Sequence, residues 1–116
     1  GGKLIKGETF EQTAVRELKE ELNIDANEVD LEIINLGNSV TNETIHFIQI
    51  GVLVKKYMGK IENNEPHKCD EIKFFDFNNL PENLFYATKT NIELFFKNKF
   101  MMLTAITILI KSSYLI

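Results

Sequence analysis

The segment from Thr9 to Asn23 leaves little room for any local structure but a helix. Thr9 and Gln12 form a Thr-x-x-Gln capping box, in which the threonine hydroxyl closes one free N–H and the glutamine reaches back to another. Glu11 sets negative charge in the first turn, at the positive end of the macrodipole. Val15, Leu18 and Leu22 stand at i, i+3 and i+7 and give an inward-facing apolar stripe. Asn23 follows the last periodic residue, where a left-handed residue ends a helix. The pattern predicts a helix over Phe10–Leu22.

Glu17, Glu20 and Glu21 fall at i, i+3 and i+4 and so share one face of that helix. Like charges at this spacing cost an isolated helix a few tenths of a kcal/mol per pair. A cation offsets the cost. Mg²⁺ takes oxygen ligands and often bridges one or two carboxylates to substrate phosphates. Taken alone, the triplet also fits a solvated surface helix rich in Glu and Lys. With Gly2, Glu8 and Arg16 added, the spacing suits a divalent ion holding a diphosphate.

Gly2, Glu8, Arg16, Glu17, Leu18, Glu20, Glu21, Asn23 and Ile24 resemble the Nudix box position for position. One residue departs: Asn23 stands where the family has glycine, and Asn is the next-best residue for a left-handed cap. The resemblance implies an α/β fold, an α/β/α sandwich with a mixed sheet. It implies that Glu17, Glu20 and Glu21 bind the catalytic cations, Mg²⁺ or alternatively Mn²⁺, with the Gly2 carbonyl as a further ligand. Glu8 is then expected to hold Arg16, and Arg16 to orient the metal-binding carboxylates, which makes Glu8, Arg16 and Glu20 the catalytic candidates. Lys3 and His46 are candidates for binding substrate; for His46 a buried, hydrogen-bonded strand residue is the favoured reading. The chemistry implied is attack of water on a phosphorus of a nucleoside diphosphate joined to another group.

Beyond the box, Val29–Leu36 and Ile45–Val54 read as strands, the second as a core strand, with a hairpin-like connection over Asn38–Thr44. Lys56–Asp70 reads as a polar loop, Glu71–Phe77 as a short strand and Asn78–Pro81 as a turn. Ala87–Lys99 carries Ile92, Phe95 and Phe96 at helical spacing. The stretch from Asn64 to Pro81 resembles the loop and strand of MutT-like Nudix proteins, in which a loop glutamate supplies a metal ligand or base. Glu65 is the candidate, with Glu62 and Glu71 as rivals, against the plain alternative of an exposed loop acid. On that resemblance the expected activity is Mg²⁺-dependent hydrolysis of a nucleoside triphosphate to monophosphate and pyrophosphate, oxidised or non-standard nucleotides included. ADP-ribose or nucleoside diphosphate-sugar hydrolysis, and an inactive Nudix remnant, are the alternatives.

The box begins at residue 2, so the domain is expected to lack the N-terminal strands usual in this family and to run over residues 1–99. Residues 100–116 form an apolar tail. Its run Phe100–Ile110 is too short for a bilayer span, which needs roughly 20 residues, and could form a buried helix end or a strand. Packing or self-association is its expected role. A net charge of −4 with no basic run argues against nucleic-acid polymers and for a small nucleotide. Cys69 is the sole cysteine, which permits no intrachain disulfide. With no signal-peptide pattern in these residues, a reducing cytoplasm is expected. His67 and Cys69 lack the further ligands that structural zinc requires.

Overall fold

The computed structural model describes residues 2–42, 44–84, 86–98 and 107–113. The first element is helix α1 (Phe10–Leu22), with the bounds its sequence predicts. Both halves of the capping box form: Gln12 N–H donates to Thr9 Oγ1 (3.1 Å) and Thr9 N–H to Gln12 Oε1 (2.9 Å). Asn23 closes the helix in the left-handed conformation at φ 56°, ψ 33°. An amide side chain tolerates this region better than most, which accommodates the change from glycine.

Strands β1 (Leu31–Asn42) and β2 (Ile45–Val54) pair antiparallel, from Leu31 opposite Val54 to Asn42 opposite Ile45. β2 has its expected bounds, but β1 is shifted. Val29 lies in a 3₁₀ turn over Glu28–Asp30, where the Asp30 N–H donates to the Asn27 carbonyl (3.0 Å). The strand then runs past Gly37, through most of the segment expected to be the hairpin connection. Turn-forming residues such as Asn38 can be carried by an exposed ladder once β2 supplies the backbone partners.

The expectation that β2 is a core strand fails over its first half. Ile45, Phe47 and Ile48 are exposed, Ile48 by 73%, and among the described residues β2 pairs with β1 alone. An apolar strand is buried by what packs on its faces, and strand pairing by itself covers neither face.

Strand β3 (Cys69–Asp76) begins two residues ahead of its predicted start, and Phe77 opens a 3₁₀ turn over Phe77–Asn79. Helix α2 (Tyr86–Asn98) follows, close to the predicted Ala87–Lys99, with Lys99 outside the described residues. It docks on β1 through Asn35 Nδ2, which donates to Asn91 Oδ1. Phe95 is buried, and Phe96 packs edge-on to it while stacking on Phe77 at 3.5 Å between ring centroids. Strand β4 (Thr107–Ser113) pairs antiparallel with β3. The end of the apolar run, Thr107–Ile110, thus takes the extended form of the two open to it; residues 100–106 lie outside the described part.

The architecture is α/β. The described strands form two antiparallel pairs, β1–β2 and β3–β4. Among the described residues the buried apolar side chains are Leu22, Ile24, Ala26, Leu31, Cys69 and Phe95. Leu22, Ile24 and Ala26 come from the end of α1 and the chain just after it, so the carboxylate-bearing end of the helix rests on the core. No helix among the described residues is long and apolar enough to cross a membrane.

Candidate active site

Arg16 is the hub of the box. Its Nε donates to Glu8 Oε1 (2.7 Å) and its Nη2 to Glu8 Oε2 (3.2 Å), a bidentate grip, while Nη2 also donates to the Lys3 carbonyl (2.8 Å). The other edge of the guanidinium faces the helix: Nη1 donates to Glu17 Oε1 (2.7 Å) and to Glu20 Oε2 (3.2 Å). A planar, always-charged fork suits this role, because it fixes two carboxylates on one side through its grip on a third.

Glu8 is built to meet it. Gly7 adopts φ 94°, in the region that favours glycine, and the turn closes with the Glu8 N–H donating to the Ile5 carbonyl (3.0 Å). The Glu8 carboxylate also accepts from Thr13 Oγ1 (2.8 Å) and the Ile5 N–H (3.1 Å). The Arg16 hydrogen bond is the largest cause of a carboxyl pKa lowered to about 2, with Thr13 and Ile5 adding to it against partial desolvation. Glu8, and after it Glu17, reciprocally raise the pKa of Arg16.

Gly2 lies directly against Glu17. A side-chain carbon built at residue 2 would overlap the Glu17 carboxylate, so only glycine lets the backbone approach this closely. Glu21 is buried, 9% exposed, at the end of the same helix. Of the two substrate-binding candidates, Lys3 has its carbonyl in the Arg16 network and an exposed position. His46 is exposed, against the favoured reading of a buried strand histidine; its Nε2 lies 3.0 Å from Asn38 Oδ1, outside the Arg16 network.

The donor set can be tested against a divalent ion. One guanidinium faces three carboxylates, Glu8, Glu17 and Glu20, which leaves a formal surplus of two negative charges beside the Gly2 backbone. Hard oxygen donors with surplus negative charge fit Mg²⁺ or Mn²⁺ and suit soft ions poorly. As arranged here, Glu17 and Glu20 turn to Arg16, and among the described residues no three acidic, His or Cys side chains converge into a ready-made cluster. The chemistry of the set fits the ion, while the side chains are placed for Arg16.

The loop after β2 docks on the end of α1. An α-helix leaves its last four carbonyls without intrahelical partners, and here all four are closed. The Asn23 N–H donates to the Lys19 carbonyl (3.1 Å), Asn64 Nδ2 to that of Glu20 (3.0 Å), Asn64 N–H to that of Glu21 (3.0 Å) and Glu62 N–H to that of Leu22 (3.0 Å). The same loop carries Glu65, whose side chain is 19% exposed and accepts from Lys68 Nζ (3.4 Å). Of its rivals, Glu62 is exposed and accepts from Asn23 Nδ2 (3.2 Å), and Glu71 pairs with Lys73 (3.0 Å). Sequence reasoning missed Asn63, Asn64 and the Lys3 carbonyl. No periodic signal marks them, since a loop amide and a main-chain oxygen gain their partners only through tertiary docking.

A model of the NUDIX domain matches residues 1–95 of the chain. The fold is similar to the crystal structure of a MutT NUDIX hydrolase from Burkholderia pseudomallei, with a TM-score of 0.73 and 23% sequence identity. That match covers 80% of this chain and 71% of the other. The family model spans the Arg16 network, the docked loop and most of α2, and on that match the chain belongs to the NUDIX domain family and is of the Nudix hydrolase type.

Proposed function

We propose that the chain is a Mg²⁺-dependent pyrophosphohydrolase of nucleoside triphosphates, oxidised or non-standard ones included, that releases nucleoside monophosphate and pyrophosphate. The observation that carries the reading is the Arg16 hub, which ties Glu8, Glu17 and Glu20 together beside the Gly2 backbone. Glu17, Glu20 and Glu21, with the Gly2 carbonyl, are the groups that would hold the ion; Mn²⁺ suits the same donors. When bound, such an ion supplies Lewis acidity toward phosphoryl oxygens and toward water.

The residues themselves do the positioning. Arg16, anchored by Glu8, gathers Glu17 and Glu20 on one helix face, from which they would turn from the guanidinium to the ion. Glu65, less exposed than its rivals Glu62 and Glu71, is the candidate to accept a proton from water or add an oxygen donor. The triphosphate class is supported by the likeness of the Glu65 loop and β3 to MutT-like proteins. A single, buried cysteine is in keeping with action in a reducing cytoplasm.

The test is release of pyrophosphate and phosphate by the purified chain, with and without Mg²⁺. The panel holds ordinary and oxidised deoxynucleoside triphosphates and ADP-ribose, with Glu20→Gln as control. Metal-dependent pyrophosphate release from triphosphates, lost in the variant, is the expected result. Release from ADP-ribose alone overturns the substrate class. No release from a folded sample overturns the activity.

A further inference from the structure

The hydrogen bonds that close the end of α1 fall on the residues that matter most to the site. The two peptide groups joined to the Cα atoms of Glu20 and Glu21 on their carbonyl side are both bonded to residue 64. Asn64 Nδ2 takes the Glu20 carbonyl and the Asn64 N–H takes the Glu21 carbonyl, each at 3.0 Å. A carbonyl oxygen only accepts, so the amide of Asn64 must present its nitrogen there. These bonds hold the main chain of the last helical turn and, with it, the directions in which the Glu20 and Glu21 side chains leave the helix. Helix ends otherwise fray within a turn.

The loop is itself held in shape. Asn63 Nδ2 donates to the Cys69 carbonyl (2.8 Å), and Asn63 Oδ1 accepts from the Glu65 N–H (3.2 Å). The Lys68 N–H donates to the Glu65 carbonyl (2.9 Å). Cys69 is fully buried, which anchors this side of the loop at the start of β3. One short segment thus connects Glu65 to the helix end bearing Glu20 and Glu21.

We infer that Asn64 is a positioning residue, which from the loop carrying Glu65 fixes the carboxylate-bearing end of α1 and sets its affinity for a divalent ion. The inference rests on the reading of Glu20 and Glu21 as ion-binding groups. Groups that orient ligands without touching the ion typically change metal affinity by about 10–100-fold when removed.

Mn²⁺ titration followed by electron paramagnetic resonance tests it without recourse to turnover, on the full chain and the variants N64A, N64D, E20Q and F95L, each at a temperature where it is folded. N64A is expected to bind Mn²⁺ about tenfold more weakly. N64D, isosteric but without the donor and with negative charge at the negative helix end, should be at least as weak. Phe95 is buried on α2, the helix that docks on β1, and its ring meets Phe96, so F95L should lower the melting temperature and leave Mn²⁺ affinity unchanged. N64A binding as tightly as wild type, or weakened no more than F95L, overturns the role of Asn64. If E20Q binds Mn²⁺ as wild type does, the ion-site reading fails and the inference falls with it.

Discussion

Helix α1 and strand β2 are both delimited correctly by their sequences, yet they stand in opposite situations. Around α1 the polar ends and the charged face are matched: the capping box at its start, four closed carbonyls at its end and Arg16 across its acids. Along β2 the backbone is paired with β1 while Ile45, Phe47 and Ile48 remain exposed. The contrast teaches that hydrogen-bonding chemistry fixes where an element begins and ends, whereas burial depends on what lies against it. The charged helix is therefore where substitutions should be felt most, and the first half of β2 where they should be felt least.

The largest effect is expected for Glu20→Gln. It keeps the helix and removes a charged oxygen donor, so turnover should fall by orders of magnitude. Because the Glu20 side chain is 52% exposed and its pair with Arg16 lies at the surface, stability should change by less than about 1 kcal/mol. Calorimetry beside the turnover assay reads both quantities, and equal turnover in the variant would break the assignment. Arg16→Lys should come next. A lysine keeps the charge but cannot grip Glu8 with two bonds while reaching Glu17 and Glu20, so both turnover and melting temperature should drop. Full activity in this variant would show that the fork geometry is dispensable.

A smaller effect follows from Glu8. Its carboxyl is lowered from 4.5 to about 2, so its contribution to stability is present above pH 4.5 and is lost as pH falls through about 2. Thermal unfolding followed across that window should show wild type losing stability toward acid, with a shallower loss in Glu8→Gln. Parallel curves would remove Glu8 as the source. The smallest effect is expected in β2, where Ile48→Thr should stay within about 0.5 kcal/mol because the side chain is 73% exposed. A large loss there would mean that this face is covered in solution, and would reverse the comparison.

The helix was legible because Thr9, Gln12 and Asn23 act on neighbours within a turn. The grip of Glu8 on Arg16, and of Arg16 on Glu17 and Glu20, was expected from the Nudix-box resemblance. The start of β1 was not legible, because Val29 is apolar and β-branched and yet belongs to a 3₁₀ turn closed by Asn27 and Asp30. The exposure of Ile45, Phe47 and Ile48 escaped as well, since composition reports the tendency to be buried and says nothing of the partner.

The sequence by itself determined the bounds of α1 and its left-handed end at Asn23, because each rests on contacts between residues near one another in the chain. Only the tertiary structure decided that the Lys3 carbonyl completes the grip on Arg16 and that Gly2 lies against Glu17. It alone showed that Asn64, more than 40 residues along the chain from Glu20, closes the helix. Main-chain oxygens and loop amides are common to every sequence; they acquire partners only when the folded chain delivers a distant segment to an unfilled hydrogen bond.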